Sequence, residues 1–227
     1  MATLLLRLAA PMQSWGMDSK FEIRKTNREP TKSGVIGMIA AAFGFSRDDD
    51  DEISKFNSLK FGVRVDQEGK LLSDYQIVKK EEKSKSINYV TWRYYLADAI
   101  FLVGLESENT GLLYEISEAL KTPVFPLFLG RRSCPATLPI CLGIREENLE
   151  QALENEQSLV PKWKKKGSPK VRVVIDAAAQ EPGSAYRQDA PISFSSLHRQ
   201  FGYRMVKEDV IINKTIPETQ HDPFQEL

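Results

Sequence analysis

The stretch 31–45, TKSGVIGMIAAAFGF, constrains this chain most. From Val35 to Phe43 it is apolar nearly all round, so a helix here has no face to offer to water. Thr31 or Ser33 can cap it, since a hydroxyl accepts from the free N–H groups of a first turn. Gly34 and Gly37 each lower helix propensity by about 1 kcal/mol relative to Ala, a cost that close backbone contact offsets. Such a helix must be pressed onto a sheet, and the flanking sequence supplies one. In 3–9, TLLLRLA, Leu4, Leu6 and Leu8 share one strand face while Thr3, Leu5 and Arg7 share the other. FGVRVD (61–66), DAIFLVGL (98–105) and PICLGIR (139–145) read as three further strands.

A second helix begins at Asn109 or Thr110, buries Leu112, Leu113, Ile116 and Leu120, and stops before Pro123. Between the second and third strands, YQIVKKEEKSKSINYVTWRYYL is charged in its middle and aromatic or β-branched at its ends, which predicts a long projecting hairpin. The order β-α-β-(hairpin)-β-α-β is that of the ferredoxin-like arrangement, shared by RNA-recognition motifs. The aromatic signature of those motifs is missing. The expectation is an α+β fold. A ferredoxin-like (RRM-like) βαββαβ palm would cover 1–145, with the inserted β-hairpin at about 75–96. A C-terminal extension, 146–227, would form a small subdomain packed on the palm and end in a frayed tail. Within it, 146–169 is a charged junction carrying a short acidic helix and KWKKK (162–166). KVRVVIDAA then reads as a strand, and SSLHRQFGYRMVKEDVII as a turn plus strand.

Lys plus Arg and Asp plus Glu both number 31, so no bulk basic charge signals nucleic acid and only local clusters can. One is Gly130-Arg131-Arg132-Ser133, where a glycine that can expose N–H groups precedes two planar cations suited to phosphate. A solvated loop is the competing reading. Another is the helix start Lys32-Ser33-Gly34, an ordinary cap or an anion site, with Arg24, Lys25 and Arg28 just upstream. That upstream segment, 11–30, is a long connection that also holds Trp15 and Phe21. A third is the hairpin root, where Tyr89, Trp92, Arg93, Tyr94 and Tyr95 are denser in rings than a solvated arm needs and can stack on bases. Arg199, Phe201 and Arg204 can add a basic edge, or be a strand with outward arginines. The run RDDDDE (47–52) reads as a solvated acidic surface.

Catalytic and metal chemistry find little to work with. Cys134 and Cys141 are the only cysteines and no Cys/His cluster exists, so no metal and no cofactor are expected. Two cysteines in 227 residues fit reduced thiols and a cytoplasmic setting. The opening MATLLLRLAAPMQSW is broken by Arg7 and too short to span a bilayer, so it is taken as a strand and no membrane is expected. No P-loop, G-x-S-x-G or H-E-x-x-H occurs, and the only histidines are His198 and His221.

Four blocks in this order, LLRLAAPMQSWG, PTKSGVIGMIAAAFG, TWRYYLADAIF and FLGRRSCPA, resemble the CRISPR-associated family numbered five in its subtype I-E form. The likeness covers about 3–145 well and is weaker beyond, where RQFGYRMV matches best. It implies a palm with a hairpin thumb and a glycine-rich loop, here 128–135. It also implies a non-catalytic RNA-binding subunit of the Cascade surveillance complex. Such a subunit grips the 5′ handle of the CRISPR RNA (crRNA), caps the CasC backbone filament, contacts the large CasA subunit and meets target DNA indirectly. Phosphate contact is then expected first from Lys32, Arg131 and Arg132, next from Arg24, Lys25 and Arg28. Ser33, Gly34, Trp92, Arg93, Gly130 and Ser133 complete the expected RNA-binding set, and no catalytic residue is assigned. The alternative is a metal-independent endoribonuclease that processes repeat RNA, as in another subtype. It needs a general base, and no histidine precedes residue 198.

Overall fold

Strand β1 (Ala2–Ala9) sorts its side chains as its alternation predicts. Leu4, Leu6 and Leu8 enter the main core, and Leu5 enters a smaller core on the opposite face. The structure, a computed structural model, describes residues 1–16, 22–82, 85–161, 170–178 and 181–212. The basic stretch 162–166, Phe21, Lys83, His221 and the tail 213–227 lie outside them.

β1 pairs antiparallel with β7 (Ile100–Ser107) on one side and β8 (Cys141–Arg145) on the other; β7 pairs in turn with β4 (Lys60–Gln67). The order β8–β1–β7–β4 puts β1 and β7 at the centre, with every neighbour antiparallel. Helices α1 (Lys32–Phe43) and α3 (Thr110–Lys121) cover the face that carries Leu4, Leu6 and Leu8. In α1, Val35, Ile36 and Ile39 are fully buried, and each such side chain contributes roughly 1.5–3 kcal/mol. Thr31 caps α1 by accepting from the Gly34 N–H, and Asn109 caps α3 by accepting from Leu112. Gly34 is held by close contact: a Cβ there would meet Thr31 Oγ1 at 2.9 Å and the Trp15 ring at 3.0 Å. Gly37 has only ordinary contact with Phe194, so close packing does not account for it. The acidic run lies largely exposed around the short helix α2 (Asp50–Ser54), as expected, and a 3₁₀ turn (Lys55–Ser58) leads on into β4.

The C-terminal residues extend the palm sheet instead of forming a separate subdomain. β4 would otherwise be a free edge with unpaired backbone groups. β9 (Lys170–Asp176) pairs with it, β11 (Gln200–Ile212) pairs with β9, and β10 (Ser184–Ser193) closes a seven-stranded sheet. Helix α4 (Leu149–Asn155) covers the back of that sheet, with Leu149 and Leu153 against Leu5 and Leu102. Arg64 of β4 fastens α4: wholly buried, it pairs with Asp66 and donates to the carbonyls of Leu153, Glu156 and Gln157.

A second sheet, separately hydrogen-bonded, packs Tyr95 and Leu96 of its base into the main core. β5 (Lys70–Glu82) and β6 (Lys85–Ala97) form one ribbon in unbroken register from Lys70–Ala97 to Glu82–Lys85, so the hairpin starts five residues earlier than expected at its first strand. Two short strands from the long connection dock on β6: β2 (Met12–Gln13) antiparallel and β3 (Ile23–Arg24) parallel. The connection is therefore fastened at both places, not free.

Candidate nucleic-acid interface

Gly130 sits at φ +85°, and a Cβ there would lie 1.6 Å from the carbonyl oxygen of Ser14. The close approach predicted for this glycine is real, but it is to the chain's own backbone and not to a ligand. Ser14 N–H donates to the Leu129 carbonyl at 3.1 Å alongside it. The turn is closed by Leu129 N–H to Cys134 O (2.7 Å) and Cys134 N–H to Arg131 O (2.8 Å). Cys134 is buried beneath it, and that burial pushes its thiol pKa up against the opposing pull of Ser133 and Arg131.

This turn delivers Arg131 to the ribbon. Its Nη2 donates to the Arg24 carbonyl at 2.9 Å, and its guanidinium lies over the Tyr95 ring, 4.6 Å from the centroid. Arg24, on β3, is the register partner of Arg93 on β6. The backbone thus brings Arg24, Arg93 and Arg131 together at the root of the ribbon from three segments far apart in sequence. Arg131 Nη1 and Arg93 Nε are buried atoms with no hydrogen-bond partner. Asp74 faces Arg93 across the ribbon, but its Oδ2 accepts from Gln76 at 2.8 Å. Among the described residues none of Arg24, Lys25, Arg28, Arg93, Arg131 or Arg132 has an ion pair. Buried donors without acceptors are costly and uncommon in native folds, and here they belong to cations that an anion would satisfy.

The ribbon has two different faces. Alternation puts Arg93 and Tyr95 on one, with Arg24 beside them and Arg131 laid on top. The other carries Trp92 against Tyr75 (centroids 5.1 Å, edge-on), with Ile23, Ile77 and Val90, all exposed. Trp92 therefore lies on the opposite face of the ribbon from Arg93. Lys25, Arg28, Arg132 and Ser133 are exposed and lie within four residues in sequence of Arg24 or Arg131.

The amino end of α1 requires a larger correction. Lys32 is 6% exposed and Ser33 7%. The Lys32 N–H, which would greet a phosphate, donates to Asp189 Oδ2 at 3.0 Å. Its ammonium donates to the Leu59 carbonyl at 2.7 Å and pairs with Asp176 at 3.2 Å. A carboxylate of the chain already fills the anion position, so Lys32 and Ser33 belong to the core. Arg204, expected on a basic edge, holds that carboxylate from behind with two bonds (2.5 and 2.8 Å) and also meets Asp176. Burial opposes the charge of Arg204, but the two aspartates outweigh it and raise its pKa. Gly34 abuts the Trp15 ring and Gly130 the backbone of Ser14, so the helix start and the glycine turn are both packed against this two-residue step.

Sequence reasoning did not find Glu29, Asp176 or Asp189. Each is a lone carboxylate whose role appears only when distant strands meet. Among the described residues no group of three or more His, Cys, Asp or Glu is placed to hold a metal ion, and no helix is long and apolar enough to cross a membrane.

This antiparallel α+β fold has counterparts among CRISPR-associated proteins. A solved structure described as a crystal structure of a Cas protein has TM-score 0.71 and 38% identity over 93% of this chain and 95% of that one. A chain of a CRISPR RNA-guided surveillance complex has TM-score 0.76 and 29% identity over 93% and 90%. The Cascade subunit CasD of Escherichia coli (strain K12) is 36% identical over 161 residues, 62% of this chain and 70% of that protein. Residues 3–207 match the family described as CRISPR-associated protein (Cas_Cas5). The chain belongs to that family, as its four sequence blocks indicated.

Proposed function

We propose that this chain is a non-catalytic, RNA-binding subunit of a Cascade-type complex, working in the cytoplasm in antiviral defence. It grips the 5′ handle of the crRNA with Arg24, Arg93 and Arg131, while Lys25, Arg28 and Arg132 extend the track. The observation that carries this reading is the meeting of these three residues at the ribbon root without an ion pair among the described residues, with orphan donors on Arg93 and Arg131. Arginine on phosphate forms two parallel charge-assisted bonds, and the stacking of Arg131 on Tyr95 fixes its orientation in advance. The four-strand order β8–β1–β7–β4 with both helices on one face fits a ferredoxin-like palm, and the ribbon fits its thumb. The apolar side of the ribbon suits a protein neighbour: the CasC filament that such a subunit caps, with CasA adjoining and target DNA reached only through the complex. Catalysis is not assigned, because Tyr95 at the cluster lies under the Arg131 guanidinium and His198 is exposed on the turn before β11. The test is retention of crRNA by the assembled complex. Arg131→Glu is expected to strip the RNA or shorten its residence at least tenfold, since it removes a charge-assisted contact worth about 1.5–3 kcal/mol. Unchanged retention would overturn the assignment. Specific cleavage of repeat RNA by the purified chain in EDTA would overturn the non-catalytic reading.

A further inference from the structure

Glu29 is a buried carboxylate at the end of a segment whose other charges are Glu22, Arg24, Lys25 and Arg28. Its Oε1 accepts from Arg187 of β10 at 2.6 Å and its Oε2 from Arg172 of β9 at 2.9 Å. Burial opposes the charge of Arg172, but Glu29, with Glu68 and Glu208 behind it, outweighs that and raises its pKa. Two residues after Arg187, Asp189 of β10 holds the Lys32 N–H, three residues beyond Glu29. The C-terminal strands thus grip the far end of the segment through two ion pairs and a charge-assisted hydrogen bond. Its near end is tied to β6 and to Arg131. Its middle is stitched to Trp15, whose N–H donates to Thr26 Oγ1 and whose carbonyl accepts from Asn27, both at 2.9 Å. The side chains of the exposed Arg24, Lys25 and Arg28 have no ion pair among the described residues.

We propose that Glu29, gripped by Arg172 and Arg187, is a positioning residue that presets the Arg24–Arg28 cations for RNA phosphate, so that the C-terminal strands act on a surface they do not form. This rests on the RNA-binding reading above. Presetting lowers the ordering cost that a loose cationic segment pays on binding. It also makes a prediction whose sign separates it from simple electrostatics. Glu29→Gln removes a negative charge and by charge alone should tighten RNA binding; released from both arginines, the segment should instead lose it. Arg187→Gln alters charge in the opposite sense and should weaken binding by the same route.

The experiment measures dissociation of the full chain from its own repeat-derived 5′ handle RNA, at a temperature where thermal unfolding confirms every variant is folded. Both variants are expected to dissociate roughly tenfold faster than wild type. In an Arg24→Ala/Arg28→Ala background, each should change the rate less than about twofold, because the groups it positions are gone. Tighter or unchanged binding by Glu29→Gln, in a chain where Arg24→Ala/Arg28→Ala weakens binding, would overturn the positioning role. Equal losses in both backgrounds would also overturn it, since that marks general destabilisation. If Arg24→Ala/Arg28→Ala leaves binding intact, the RNA-binding reading itself fails.

Discussion

Replacing Gly130 with Ala tests how the arginine turn is held. Two costs arise. The backbone at φ +85° is left-handed, which charges a residue with a Cβ about 1–2 kcal/mol. The new methyl would start 1.6 Å from Ser14 O, whereas van der Waals contact needs about 3.2 Å, so turn and strand must separate. That separation breaks the 3.1 Å Ser14–Leu129 hydrogen bond, for about 0.5–1.5 kcal/mol, and loosens Leu129, which is fully buried. The sum is roughly 2–4 kcal/mol, or a fall in Tm of about 5–12 °C for a chain of this size. Gly183→Ala is the matched control: its φ is +82° and a Cβ there meets nothing within 4 Å, so it carries the backbone strain alone, about 1–2 kcal/mol. Thermal unfolding followed by circular dichroism compares the two. Equal Tm values would refute the steric argument.

Further consequences follow from the same contacts. Lys32→Met should leave the salt dependence of RNA binding unchanged, because the ammonium faces Asp176 and not solvent; a slope reduced by a full phosphate contact would return Lys32 to the interface. Arg64→Met breaks a pair in which both side chains are wholly buried, so urea unfolding should report a loss of about 3–5 kcal/mol while RNA affinity at low denaturant is kept. Cys134, buried and with its thiol pKa raised by desolvation, should resist iodoacetamide in the native protein and react in the Gly130→Ala variant, as peptide mass spectrometry can follow. Fast labelling in the wild type would mean that the turn opens readily.

The sequence announced whatever depends on local pattern. The alternation in β1, the apolar wrap of α1 and the Asn109 cap each needed only a window of a few residues, and each is found where expected. Gly130 was recognised as a close-approach residue, but its partner, Ser14, is on another segment and no local rule names it. The same limit explains Lys32. A cation at a helix start reads as a phosphate site until Asp189, 157 residues away, arrives at the amide. Strand β10 was not assigned from the sequence at all; Pro191 and the acidic and polar residues in it weaken a strand pattern, and its place at the sheet edge tolerates them. Arg93 and Trp92 were singled out for the density of rings at the hairpin root, and strand alternation sends these two neighbours to opposite faces.

The salt dependence of handle RNA binding tests the central assignment most directly. For single strands the log–log slope changes by about 0.7 for each phosphate neutralised. If Arg24, Arg93 and Arg131 each meet one, replacing all three with Ala should make the slope shallower by about 2. A triple variant that is folded but keeps the wild-type slope would contradict the account.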